Sequence, residues 1–325
     1  MLYIESPYTD PCRNLAMEEY CFDRLTDDVF LLWQNDHTIV VGKYQNTNEV
    51  ISNRYVEQNG ISVVRRLSGG GAVYHDLGNL NFSFIQKNDE RDTEFRFEYF
   101  TKDIINLLAD LGVKAEFNSR NDLVIDGKKF SGNAQYIRRD KILHHGTLLF
   151  DSNLETLVHA LNVSGEKLKS RAVASVYAQV TNIKPYLKKD MTMDLFKQYI
   201  REYFTDLYHM QPYTFGAKEM EEILKSAKNK YETWEWNYGA SPSCDIKKEG
   251  RCQSGQIEAY LSIKGGILED IKIYGDFFAL DSFENALSKL KGKRYDPANL
   301  KEDINNVADT MRGIERGWLL DLIMN

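Results

Sequence analysis

The chain has 325 residues, 42% hydrophobic and 27% charged, which is ordinary for a globular protein long enough to bury a large core and to hold more than one domain. Its net charge of −7 weighs against a general nucleic-acid binder, which carries a basic face. No basic segment with an apolar run opens the chain and no apolar stretch is long enough to span a bilayer, so a cytoplasmic protein with no membrane partner is expected.

In chain order, Leu2–Glu5 reads as a strand, and Asp10-Pro11 opens a helix carrying Leu15, Met17, Tyr20, Phe22 and Leu25. Val29–Trp33 and Thr38–Gly42 read as buried strands. Residues 48–58 look helical, with Asn59-Gly60 as a stop, and Ile61–Arg65 is a strand leading into a glycine-rich loop. Strands are expected at Ala72–His75 and Asn81–Ile85, then a helix over Phe95–Leu111. Val113–Phe117, Leu123–Ile125, Lys129–Ile137 and Ile142–Phe150 follow as strands, with Asp126-Gly127 as a hairpin turn. Helices are expected at Leu154–Leu161, Met193–Leu207 and Ala217–Ala227. The stretch Trp234–Gly239, followed by Ser241-Pro242-Ser243, marks a domain boundary placed at 245/246. Beyond it, Gly255–Lys264 and Ile267–Tyr274 form a hairpin turning at Gly265-Gly266, within a small α+β unit. Strands joined by turns and interrupted by helices predict an α+β (mixed α/β) fold for the large domain, not a doubly wound one.

The segment Arg65–Asn79 (RRLSGGGAVYHDLGN) is the centre of the chemistry. Bare glycine N–H groups in a turn form an anion-binding concavity, and arginine forks suit phosphate or carboxylate. The pattern is neither the dinucleotide fingerprint nor the P-loop. Next come Arg120-Asn121-Asp122, read first as a turn and second as oxygen ligands for Mg²⁺. Lys128 and Lys129 sit on opposite faces of a strand, so only one can serve a site, and alternation does not say which. His144 and His145 likewise cannot both face inward, and their spacing fits no metal motif. The four cysteines, Cys12, Cys21, Cys244 and Cys252, have no C-x-x-C spacing and read as reduced thiols.

Taken in order, Arg65–Asn79, Arg120–Asp122, Lys129-Phe-Ser-Gly132 and His144–Leu149 resemble the lipoate–protein ligases. Trp234–Gly239 and the small C-terminal unit resemble their long, two-domain form, so the likeness spans nearly the whole chain. The resemblance implies a biotin/lipoate ligase-type catalytic domain over 1–245, with a central mixed β-sheet and flanking helices, and an accessory α+β domain over 246–325. It implies ATP-dependent, Mg²⁺-assisted activation of (R)-lipoate to lipoyl-AMP. The lipoyl group then passes to a lysine of apo lipoyl domains of oxoacid dehydrogenase E2 subunits or of the glycine cleavage H protein, with the enzyme a monomer. By the family motif Lys129, not Lys128, is the catalytic lysine. ATP and adenylate binding falls to Arg66, Ser68, Gly70, Gly71, Ala72, Val73 and Tyr74, then Asn79, Asn121, Asp122 and Lys129, with Asp122 the Mg²⁺ candidate. Lipoate binding falls to Trp33, Arg66, Val73, His75, Lys129, Gly132 and His145. Burying about four methylenes at ~0.8 kcal/mol each would give the acid roughly 3 kcal/mol, and octanoate should also enter such a slot.

Octanoyl transferases of the same fold carry the acyl group on a cysteine, and here every cysteine lies outside the motif cluster, which favours ligation. An octanoyl/lipoyl transferase and a non-catalytic lipoate or adenylate sensor are the alternatives. Gln135 departs from the family pattern, standing where some members have an arginine.

Overall fold

In the computed structural model, residues 1–45, 47–88, 95–118, 120–161, 179–238, 246–264, 267–295 and 297–324 are described. The first element, β1 (Leu2–Glu5), runs parallel to β2 (Val29–Trp33) and is joined to it through α1 (Pro11–Arg24). Asp10 caps α1 by accepting from the Arg13 N–H at 2.8 Å, and Pro11 occupies the first turn, where a missing N–H costs nothing. β2 is buried on both faces, which a run of five large apolar residues permits: Phe30 and Leu32 enter one core, Val29, Leu31 and Trp33 another.

β3 (Thr38–Val41) lies between β4 (Ser62–Arg65) and β5 (Val73–His75) in a small sheet, parallel to the first and antiparallel to the second. The helix expected over 48–58 is two short ones, α2 (Thr47–Val50) and α3 (Asn53–Gln58). The break falls at Ile51, whose side chain is buried in the small sheet's core while its backbone bridges to Leu161. Gly60 ends α3 with φ 61°.

β6 (Asn79–Lys87), α4 (Phe97–Asp110), β7 (Ala115–Phe117), β8 (Asp122–Ile125), β9 (Lys128–Arg138) and β10 (Lys141–Leu149) follow. Asp126 and Gly127, both with positive φ, make the tight β8–β9 hairpin. Next come α5 (Leu154–Ala160), α6 (Met193–Tyr208), β11 (Gln211–Pro212), α7 (Ala217–Ser226) and α8 (Trp234–Asn237). The large sheet has the order β11-β1-β2-β6-β10-β9-β8-β7 and is mixed, as expected: parallel from β11 to β2, antiparallel from there on. One face is sealed by α4 and α6 through Ile104, Leu107, Leu108, Phe196, Ile200 and Phe204. The opposite face meets α1 through Leu15, Met17 and Phe22.

The C-terminal unit is an antiparallel sheet of β12 (Ile246–Cys252), β13 (Gly255–Lys264), β14 (Ile267–Gly275) and β15 (Lys293–Arg294), packed on α9 (Phe283–Ser288), α10 (Pro297–Asp309) and α11 (Arg316–Met324). Sequence reading misses β12, an edge strand whose charged residues hide its period. The expected Gly265-Gly266 turn, Ser241–Ser243, Cys244 and the 245 side of the proposed boundary lie outside the described residues. Among the described residues no helix is long and apolar enough to cross a membrane.

Candidate active site

The glycine-rich loop joins β4 to β5 and is pressed from outside by the chain just after β14. Gly70 holds φ 89°, a left-handed conformation that favours glycine, and its N–H donates to the Phe277 carbonyl at 2.9 Å. A Cβ on Gly71 would sit 2.7 Å from Asp276 Oδ1, so only a bare backbone lets that carboxylate approach. The loop, the open face of the large sheet and the Asp276–Phe278 segment enclose a cavity of about 210 Å³.

The two arginines before the loop have different jobs because successive strand residues point to opposite sides. Arg65 is turned away: its guanidinium donates to the carbonyls of Gly42, Lys43, Gln45, Trp236 and Asn237 and to Thr47 Oγ1, tying β4 to α8. Arg66 lines the cavity, and burial lowers its pKa to about 10, partly countered by Asp276 and Glu18, so it stays charged at neutral pH. Below it runs a buried relay. Arg66 Nε donates to Ser68 Oγ at 3.0 Å, Ser68 Oγ meets His145 Nε2 at 2.6 Å, and His145 Nδ1 meets Glu18 Oε1 at 2.9 Å. The same Glu18 oxygen accepts from Ser83 Oγ at 2.6 Å, and Ser83 accepts from Trp33 Nε1 at 2.9 Å. Every link is satisfied with the Glu18 oxygen accepting, His145 Nδ1 donating and the Ser68 hydroxyl donating to Nε2. Glu18, a carboxylate on the inner face of α1, thus aligns both Arg66 and Trp33.

One end of the cavity is charged. Lys129 Nζ lies 2.7 Å from Asp122 Oδ1, and Arg120 Nη2 donates to the Asp276 carbonyl at 3.2 Å. Asn121 and Asn133 exchange side-chain-to-backbone hydrogen bonds of 2.6 and 3.0 Å, which pins the β8 start to β9. Burial raises the Asp276 carboxyl above its ordinary range, against the pull of Arg120, Lys129 and Arg66. The other end is lined by Leu15, Trp33, Val40, Val73 and the ring of His75. Burial, aided by Arg66 and His145, lowers the His75 pKa to about 3, so that ring is neutral. Among the described residues no group of three or more His, Cys, Asp or Glu side chains gathers to hold a metal ion.

Of the residues singled out from sequence, Trp33, Arg66, Gly70, Gly71, Ala72, Val73, His75, Asn121, Asp122, Lys129, Gly132 and His145 line this one cavity. Three do not. Ser68 lies in the relay beneath Arg66, Tyr74 points through β5 to hydrogen-bond His37 Nδ1 at 3.0 Å, and Asn79 donates to Asn81 Oδ1 at 2.9 Å. Asp76 accepts from the Gly78 and Asn153 N–H groups and so shapes the turn instead. His144 faces away from His145, stacked on Phe100 and held by Gln135 Nε2 at 2.8 Å, while Gln135 Oε1 accepts from the Arg96 N–H. At position 135 an uncharged amide therefore serves a buried neutral imidazole, whose burial and neighbouring His145 hold its pKa well below the ordinary value. Sequence reading gives no role to Glu18, Asn81, Asn133, Asp276 or Phe278; Asn81 and Asn133 carried a signal, each a polar residue on an alternating strand, β6 and β9.

The Lipoyl protein ligase A/B catalytic domain model matches residues 10–205, and that of the bacterial lipoate protein ligase C-terminus matches residues 241–323. A curated relative, lipoate-protein ligase LplJ of Bacillus subtilis (strain 168), is 41% identical over 331 residues, covering 99% of this chain and 100% of its own length. Among solved structures, P. falciparum LipL1 in complex with lipoate shares the fold at TM-score 0.79 and 23% identity, covering 99% of this chain and 98% of its own. A lipoate-protein ligase A bound with ATP gives TM-score 0.64 at 28% identity, covering 74% of this chain and 98% of its own. A bi-partite lipoate protein ligase of an archaeal lipoylation system, from Thermoplasma acidophilum and described with its E2 lipoyl domain, gives 0.68 at 28%, covering 75% and 98%. With the catalytic model spanning more than half of the sequence and a relative this similar along its full length, the chain belongs to the lipoate–protein ligase family.

Proposed function

We propose that this chain joins lipoate to ATP to form lipoyl-AMP and pyrophosphate, then transfers the lipoyl group to a lysine of an apo lipoyl domain. The observation that carries the reading is the mixed lining of the cavity: the Lys129–Asp122 pair at one end, an apolar slot ending at Trp33 and His75 at the other, with Arg66 and the glycine loop along the wall. An amphiphilic acid fits that polarity, with its carboxylate toward the cations and its chain in the slot.

In the first step a carboxylate oxygen attacks the α-phosphorus, the P–O bond to pyrophosphate breaks, and pyrophosphate leaves. Two anions must meet, so positive charge placed in advance is the main catalytic resource. Lys129 supplies it where acid and nucleotide join, while Arg66, held by its relay and by three backbone carbonyls, and the loop N–H groups other than that of Gly70 face the nucleotide. Asp122 and Asp276 offer hard oxygen ligands at that end, which suits a Mg²⁺ that keeps water and brings its own phosphates. When bound, Mg²⁺ would offset the charge of the leaving pyrophosphate. In the second step the acceptor lysine amine attacks the acyl carbon and AMP leaves with the bonding pair, so the enzyme needs no nucleophile of its own. Acceptors of this chemistry are lipoyl domains of E2 subunits and the glycine cleavage H protein; the archaeal neighbour described with its E2 lipoyl domain supports the first. The enzyme acts as a cytoplasmic monomer, with a catalytic part over 1–245 and an accessory part over 246–325, a division the two family models support.

The test is incubation of the full chain with ATP, Mg²⁺, (R)-lipoate and a panel of apo acceptors, read by intact-protein mass. An ATP-dependent lipoyl adduct on the acceptor lysine is expected. Lipoylation without ATP, or none with it, would refute the reading.

A further inference from the structure

The far end of the slot holds a polar group that no atom of the described residues satisfies. His75 is 2% exposed, and among the described residues its Nε2 has no hydrogen-bond partner. Its other nitrogen is fully specified. Asn35 Nδ2 lies 3.2 Å and Asn81 Nδ2 3.5 Å from His75 Nδ1. Both amides are oriented by further contacts: Asn35 Oδ1 accepts from Asn14 Nδ2, and Asn81 Oδ1 accepts from Asn79 Nδ2, each at 2.9 Å. Both therefore present N–H groups to Nδ1, which must accept, and the ring proton sits on Nε2. Burial keeps the ring neutral, so a single N–H donor belongs to the cavity wall.

Strand geometry says what reaches it. Lys129 Nζ lies over Gly132, 3.0 Å from where a Cβ would stand. Gly132 donates its N–H to Thr147 Oγ1 on β10, Thr147 pairs with Asn81 on β6, and Asn81 pairs with Trp33 on β2. From the Gly132 position to Asn81 and Trp33 is two to three strand spacings, or about 10–14 Å. An eight-carbon acid, with seven C–C bonds of about 1.5 Å in zigzag, spans about 9 Å. With its carboxylate at Lys129 the acid ends beside Asn81, Trp33 and His75, where a dithiolane places its sulfurs and a plain alkyl chain places a methyl group.

We propose that His75 is a specificity residue, whose Nε2–H donates to the sulfur-bearing ring and favours lipoate over an unsubstituted acid of the same length. Sulfur is a weak acceptor but a methyl group is none, and a buried donor left bare is costly. Asn35 and Asn81 act as positioning residues that hold the donating tautomer. The inference rests on the cavity being the lipoate site and names what that site discriminates.

The experiment measures kcat/KM for (R)-lipoate and for octanoate with ATP, Mg²⁺ and an apo lipoyl domain, in the native chain and in His75→Leu. The native chain should favour lipoate about tenfold, and the variant should bring the ratio close to one, chiefly through KM for lipoate. An unchanged ratio overturns the inference while leaving the ligase reading intact; a native chain that transfers neither acid overturns both. Should His75→Leu fail to fold, ¹⁵N-histidine spectra of the native protein decide. The Nε2–H resonance should move on adding lipoate and stay on adding octanoate, and equal responses overturn the inference.

Discussion

Glu18 is the deepest support of the site, and replacing it tests whether the relay is real. Its carboxylate accepts from His145 Nδ1 and Ser83 Oγ at 2.9 and 2.6 Å, with 1% of the residue exposed. Glu18→Ala removes two charge-assisted hydrogen bonds worth about 1.5–3 kcal/mol each and leaves the His145 N–H bare. The serine hydroxyl can turn to another acceptor, so the expected loss is about 3–5 kcal/mol, one charge-assisted hydrogen bond together with the cost of a bare buried N–H. At about 2–4 °C per kcal/mol for a large domain, the melting temperature should fall by roughly 6–20 °C. Glu18→Gln keeps an acceptor oxygen but not the charge, and should lose about 1–2 kcal/mol. Function should change with it, because Arg66 is tied to this relay through Ser68, beside its bonds to the Val40, Gly69 and Gly71 carbonyls, and Trp33 through Ser83. ATP–pyrophosphate exchange in the presence of lipoate reads that effect at temperatures where Glu18→Gln stays folded, and its kcat/KM should drop about tenfold. If both variants melt within about 2 °C of the native chain, less than about 1 kcal/mol, and exchange at the native rate, the relay does not hold the site.

Lys129→Ala should cut pyrophosphate exchange by about 10²–10³, the cost of one preorganised charge donor, with the melting temperature nearly unchanged because Lys129 is partly exposed; a loss below about threefold would remove it from the chemistry. Asp276→Asn should raise the melting temperature at pH 7 but not near pH 4. A carboxyl whose pKa is raised by folding contributes stability that is fully present below its free value of about 3.9 and is lost as pH climbs through the folded value. The amide escapes that loss, and a lower melting temperature at pH 7 would show that the pull of Arg120 and Lys129 outweighs desolvation. Cys12→Ala with Cys21→Ala should keep acceptor lipoylation within about twofold, since burial pushes the Cys12 thiol up to about 12 and the Cys21 thiol higher still, leaving neither as a thiolate nucleophile. Loss of transfer with adenylate formation intact would point to a thioester route.

Much of the site was legible because its parts are local. A glycine run between two strands, a lysine after an Asp-Gly hairpin and a histidine on an alternating strand are readable from spacing, and their order along the chain carried the family resemblance. The strands themselves were readable for the same reason: in β2 an unbroken apolar run, and in β6 an alternation of polar and apolar residues, agree with residue type. Where period and type disagreed, as in the charged edge strand β12, the reading failed.

Other features depend on contacts between distant parts of the chain. Alternation separates Arg65 from Arg66, yet only the packing of Trp236 and Asn237 against β4 shows where the outward one is tied down, while Arg66 lines the cavity with its guanidinium on the carbonyls of Val40, Gly69 and Gly71. Glu18 reads as one more charge on an amphipathic helix until α1 is laid on the sheet beside His145. Asp276 belongs to no motif, and it enters the cavity because the C-terminal sheet ends against the glycine loop. His75 was readable as a lining residue, but its proton position depends on Asn35 and Asn81, which reach it from two other segments. The sequence by itself determined the chemical groups and the local geometry that turns, periods and glycines dictate. Tertiary structure decided which group faces the ligand, which is neutralised by a partner and which stays buried without one, because burial and pairing are properties of surfaces that meet only after the chain has folded.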